Sequence, residues 1–122
     1  MRYVAGCRSN IGRVRENNQD AVALRTFEKK GKNFIVLAVC DGVGGLEHGE
    51  MASSMAAARI EAWFDEITEW LDPAEADGEL LFSHMKDLVE ECNTLVRECR
   101  VARGMEMGTT LSLLMIFRDI YY

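Results

Sequence analysis

The stretch that most constrains this chain is NFIVLAVCDGVGG, residues 33–45. Seven of the eight residues from Asn33 to Cys40 are apolar, which predicts a strand buried on both faces. Charge arrives only at its end, where Asp41 meets Gly42, Gly44 and Gly45. Backbone so poor in side chains can turn sharply and approach a ligand closely. An acid at a strand exit beside bare backbone suggests a cation site. The competing reading is that Asp41 opens a turn and caps the next helix, a common use of Asp-Gly. Spacing alone leaves both open.

The segments around this strand define a fold class. Residues 2–9, RYVAGCRS, have the alternation of a short strand with Tyr3, Ala5 and Cys7 on one face, followed by a turn through Asn10 and Gly12. A further strand is expected over 20–27, and KKGK at 29–32 supplies a charged, glycine-centred hairpin into strand 33–40. One hairpin strand starts where its partner finishes, so Asp20 and Asp41 are expected at the same end of a sheet.

Two helices follow in the pattern. Over 49–71, Ala52, Ala56, Ile60, Trp63, Ile67 and Trp70 recur at steps of three or four. Small residues at its start would let that helix sit close to a sheet. Pro73 and Gly78 break the pattern in an acidic linker. Over 79–103, Leu81, Met85, Leu88, Cys92, Leu95 and Cys99 form a single apolar seam, with Gly104 as a helix stop. Two antiparallel helices covering a sheet are expected rather than a free coiled coil. The last segment predicts a strand over 109–117, a tight turn at Arg118 and Asp119, and a new strand beginning at Ile120. The fold class is thus α+β, with antiparallel strands and two long antiparallel helices. An unfinished strand at the end invites pairing with other strands.

Composition narrows the functions available. The chain has 122 residues, 48% of them hydrophobic, and a formal charge of -6. That is enough for one core, and the negative balance argues against nucleic acid or an anionic membrane as partner. No apolar run reaches the roughly 20 residues of a spanning helix, and the first residues lack a signal-peptide core, so a cytoplasmic location is expected. Cys7, Cys40, Cys92 and Cys99 include no C-x-x-C pair and sit in apolar patterns, which favours buried free thiols over disulfides or zinc ligands. A reactive thiol at Cys40 is disfavoured, because the carboxylate of Asp41 beside it would raise its pKa.

The glycines around Asp41 do not spell a nucleotide loop. Glu47 stands where a third glycine of G-x-G-x-x-G belongs, and no G-K-[ST] follows. Neither His48 nor His84 has a nucleophile elbow nearby. Carboxylates beside a carbonyl-rich turn suit magnesium or manganese instead. Arg13 and Arg15 lie just ahead of Asp20, so the same sheet end would gather a guanidinium able to grip a phosphate with two prongs. Two solvated surface arginines are the bland alternative. Arginine beside divalent cations is the layout of a phosphate-ester hydrolase.

The order GRVRENNQDA, VCDGVGGLEHGEMAS and GTTLSLLMI closely resembles the bacterial branch of the metal-dependent protein phosphatases, the type 2C or PPM family. The resemblance covers the first half of such a domain. It implies a sandwich of two antiparallel sheets with a helical layer on each outer side, and removal of phosphate from phosphoserine and phosphothreonine in proteins. By resemblance, Asp41 matches an aspartate that bridges two metal ions, magnesium or manganese, and Gly42 a glycine that lends its carbonyl to one. Arg15 matches the phosphate-binding arginine. Asp20 matches an acid supporting metal-bound waters, and Gln19 falls where many members carry a glutamate of the metal site. Val43 replaces a histidine that some eukaryotic members have, and Gly108, Thr109 and Thr110 match a structural strand. The implied chemistry is attack by a metal-activated water, without a phosphoenzyme. The family's later motifs, a G-D-S-R turn and two further aspartates, are expected beyond Tyr122, so residues 1–122 alone are expected to have little or no activity. The rival expectation is a noncatalytic module of the same half-fold that forms a homodimer through open sheet edges.

Overall fold

A computed structural model describes residues 2–13, 17–43 and 47–122. The order of elements is β1 (Asp20–Lys29), β2 (Lys32–Asp41), α1 (Gly49–Thr68), α2 (Gly78–Arg103), β3 (Ser112–Phe117) and β4 (Ile120–Tyr121). The four strands form one antiparallel sheet in the order β1-β2-β3-β4. One helical layer lies on one face of it. The α+β expectation is met, with two of the four layers of the implied sandwich present.

The hairpin forms where the sequence places it. Lys30 and Gly31 both have positive φ, 53° and 71°, the two-residue turn whose twist matches the flanking strands. Glycine takes this conformation freely. Lys30 does so at a cost, and its ammonium is held 3.0 Å from Asp72 in the helix linker. From that turn the ladder runs in register to its far end, pairing Lys29 with Lys32 and Asp20 with Asp41.

Strand alternation then separates two unlike faces. Phe34, Val36, Ala38 and Cys40 of β2 are buried against the helices, and Phe34 is fully buried. Phe34 stacks on Phe64 of α1 at 4.7 Å and meets Phe117 of β3 edge-on at 6.0 Å. Such ring pairs add to what area burial contributes. On the other face Ile35 is buried, but Leu37 is half-buried and Val39 is 53% exposed. The expectation of a strand buried on both faces is therefore corrected: only one face of the sheet is covered by helices.

Both helices appear near the expected limits, with differences at their ends. Ala52, Ser53, Ala56 and Ala57 are buried, so α1 enters close to the sheet, and Ile60, Trp63, Phe64 and Ile67 fill the wider end. Trp70, expected in that stripe, is 66% exposed because α1 stops at Thr68 and the helical period no longer applies. On α2 the seam holds from Leu81 through Met85, Leu88 and Cys92, but Leu95 is exposed and Cys99 only half-buried. With 26 residues against 20, α2 is longer than its partner by roughly 9 Å, and its last turns outrun the surface they could pack on. The Asp77 side chain caps α2 by accepting from the Glu79 N–H, and Gly104 ends it with φ 62°.

Residues 2–9 are not a strand. They pair with no ladder, and all but Tyr3 are exposed, Cys7 included. Alternating small residues offer too little apolar area to hold an extra strand on the β1 edge. The Tyr3 hydroxyl ties them to the far end of the chain by donating to Asp119 at 3.3 Å. All four cysteines are free, as expected, but only Cys40 and Cys92 are buried.

Candidate metal centre

Asp20 and Asp41 are the first residue of β1 and the last of β2, and they are direct partners in the ladder. They belong to the same side of the sheet as Val22, Leu24, Leu37 and Val39, away from the helices. Both are exposed. Side chains at directly opposed antiparallel positions have β-carbons about 5 Å apart, and like charges there repel. A cation between them would turn that repulsion into attraction.

The backbone around the pair is fixed by identifiable contacts. Thr110 brackets Asp41: its N–H donates to the Asp41 carbonyl at 2.8 Å, and its hydroxyl accepts from the Asp41 N–H at 3.2 Å. The next residue, Gly42, donates to the Gln19 carbonyl at 2.9 Å and bridges to Thr109. Val43 donates to the Gly108 carbonyl at 3.0 Å. The GTT segment therefore extends the sheet past β3 and holds the strand exit in place, which meets the structural role expected of it. Gly42 has no space for a side chain, since an added β-carbon would fall within 2.6 Å of the Gln19 carbonyl oxygen and the Gly49 backbone. Glycine is needed here for close approach, not for an unusual φ.

Gln19 is placed by its own carbonyl, which also accepts from the Ser53 hydroxyl at 2.6 Å. Its side-chain amide packs against Gly49 at the start of α1. Asp20 is held by an Asx turn, its N–H donating to the Asn18 side chain at 3.1 Å, and Asn18 in turn donates to Ser9 at 2.8 Å. Together Asn10, Asn17, Asn18, Gln19, Asp20 and Asp41 line a hollow of about 160 Å³. Three of these, Asn10, Asn17 and Asn18, escape sequence reasoning, although the run of amides in ENNQD is a visible signal. Gly42 does not line the hollow. Arg13 is exposed, whereas Arg15, Gly44 and Gly45 lie outside the described residues.

The donor set fits a hard cation. It is all oxygen from the carboxylates, with amide oxygens able to add to it, as magnesium and manganese prefer. It does not fit two ions unaided: among the described residues no three His, Cys, Asp or Glu side chains converge to hold a metal. Cys40 adds nothing reactive. Its thiol is pushed up to about 11, first by burial and then by the neighbouring Cys92. The cause expected from sequence, the adjacent Asp41, does not contribute, because alternation points the two side chains to opposite faces of the sheet.

This sheet end therefore brings together the facing aspartates, the closely packed Gly42 and the extended GTT segment. Residues 10–121 match the protein phosphatase 2C family, and the chain belongs to it. The chain is similar to protein phosphatase PhpP of Streptococcus pneumoniae, with 32% identity over 116 residues, covering 88% of this chain and 41% of that protein. It is also similar to serine/threonine phosphatase stp of Listeria innocua, with 33% identity covering 85% of this chain and 39% of that one. The chain thus spans about two fifths of the length of these curated relatives. No solved structure matches it significantly.

Proposed function

We propose that residues 1–122 are the N-terminal half of a metal-dependent serine/threonine protein phosphatase domain. The observation that carries the reading is the in-register pairing of Asp20 with Asp41 beside Gly42. Family membership and the printed names of the relatives support the reaction class. Asp20 and Asp41 would hold a magnesium or manganese ion, with Gln19 lining the same hollow and Gly42, the other expected donor, next to Asp41 in the chain but outside that lining. Bound there, the ion supplies Lewis acidity and lowers the pKa of water for attack on a phosphate ester. Thr110 and Thr109 keep the Asp41 backbone from shifting as charge changes at the site. Arg15 serves as the phosphate-gripping guanidinium, charged at every working pH.

The partner is a phosphoprotein rather than nucleic acid or membrane, in keeping with the negative charge. No helix among the described residues is long and apolar enough to cross a membrane. Four free thiols suit a reducing cytoplasm. Two carboxylates are too few for a two-ion centre, so residues 1–122 alone should hydrolyse phosphopeptides weakly or not at all.

One observation favours a second reading, a noncatalytic module that self-associates: Val39 and Leu114 are exposed on the uncovered sheet face. Manganese-dependent hydrolysis of a phosphothreonine peptide separates the two. Turnover abolished by Asp41→Asn supports the enzyme. No turnover, together with a concentration-dependent dimer in sedimentation, supports the module.

A further inference from the structure

A hollow of about 510 Å³ opens between the second half of α2 and the segment leading into β3, apart from the aspartate pair. Its apolar lining includes Cys92, Val96, Met107 and Leu111, and its polar lining includes Arg97 and Arg100. Cys92 and Met107 are almost fully buried and form its base. The volume falls within the roughly 300 to 1,000 Å³ usual for small-ligand sites.

The two arginines give the hollow its charge. In a chain with formal charge -6, neither makes an ion pair among the described residues, so both guanidinium groups are open to a ligand. No acid stands three or four residues from either along α2; the neighbours at those steps are Asn93, Thr94, Val96, Val101, Arg103, Gly104 and each other. Adjacent like charges on a helix are mildly destabilising. The helix dipole accounts for Arg100 and Arg103, which lie in the last turn, but not for Arg97 one turn earlier. The terminal carbonyls are also already served, since the Arg100 carbonyl accepts from Gly104 and Met105.

The geometry points to a binding site for a small amphiphilic anion, a carboxylate whose apolar tail enters the hollow toward Cys92 and Met107 while Arg97 and Arg100 receive its head. Guanidinium groups suit a carboxylate by offering paired N–H donors. The hollow does not depend on the phosphatase reading. It shares a wall with the site, however: Gly108 and Thr109 line it, and the same two residues bond to Val43 and Gly42.

The test uses residues 1–122 with decanoate as the anionic probe and decylamine and decanol as probes of equal tail length, read by displacement of fluorescent anilinonaphthalene sulfonate and by amide NMR shifts. Decanoate should bind at least about tenfold more tightly than decylamine or decanol, a factor within reach of two charge-assisted contacts. Its shifts should centre on residues 92–111. Arg97→Gln with Arg100→Gln should remove the preference for decanoate while leaving the circular dichroism spectrum unchanged, because both side chains are exposed. Val89→Trp, at the partly exposed rim, should weaken all three probes together. Equal binding of decanoate and decylamine, an unaltered preference in the double arginine variant, or shifts centred on Val39 and Leu114 of the open sheet face would each overturn the assignment.

Discussion

Replacing Asp41 by Asn should stabilise the metal-free protein and abolish its response to manganese. Asp20 and Asp41 face each other across the ladder with no cation among the described side chains between them. At about 5 Å, two unit charges repel by about 0.8 kcal/mol in water and about 3 kcal/mol at an effective dielectric of 20. Both groups are exposed, so the lower figure governs, and removing one charge should raise stability by about 1 kcal/mol. For a domain of this size that is a rise of about 4 °C in melting temperature. Manganese at ten times its dissociation constant should stabilise the wild type by about 1.4 kcal/mol and the variant hardly at all. Differential scanning calorimetry with and without manganese, checked by titration calorimetry, reads both effects. A metal-free variant that melts lower than wild type would refute the repulsion argument. An identical manganese response in the two proteins would refute the assignment of Asp41 as a ligand.

Gly42→Ala should cost at least about 3 kcal/mol or prevent folding, because its β-carbon would meet backbone atoms that cannot rotate away; denaturant unfolding measures this. Arg118→Ala should cost about 2 kcal/mol in the same assay, since that guanidinium donates to the carbonyls of Pro73, Ala74 and Ala76, and Arg118→Lys should not restore it. Stability should fall as pH rises above about 9. The Cys40 thiol titrates near 11 in the fold and near 9 when unfolded, so protonation favours the native state below 9 and that contribution is lost through 11. Cys40→Ala should flatten this part of the profile. At pH 8, iodoacetamide should label the exposed Cys7 within minutes and leave Cys40 and Cys92 unlabelled in the native protein, by mass spectrometry.

The sequence was most informative where local chemistry and long-range pairing agree. KKGK demands a tight turn, and once the turn is set, antiparallel counting brings Asp20 to Asp41 without any tertiary information. Gly104 likewise announces a helix end by composition alone. Features that depend on what lies opposite were not legible. Nothing in the run FIVLAVC distinguishes a face covered by Phe64 from one left open, so Val39 and Cys40 look alike in sequence and differ fully in burial. Trp70 carries the right spacing but follows the helix end. Arg118 appeared only as part of a turn, yet with φ 57° it closes the linker between α1 and α2, a contact spanning 45 residues. The amides at Asn10, Asn17 and Asn18 enter the hollow through a loop whose path has no periodicity to read.

The two faces of the sheet divide the work of this chain. Packing energy is concentrated on the helix side, in Phe34, Val36, Ala38 and Cys40 against α1, Met115 and Phe117. The aspartates project from the opposite side, among half-buried Val22 and Leu37 and exposed Val39. Charge changes at Asp20 or Asp41 therefore act on the core only through the ladder and the Thr110 contacts, which is why Asp41→Asn is expected to raise stability without disturbing the packed side. The same separation shapes the surroundings of the aspartates. Gly42 is closed on its helix side by Gly49 and Gln19. The hollow at Asp20 and Asp41 is bounded instead by the loop amides of Asn10, Asn17 and Asn18, next to the open face on which Val39 is exposed.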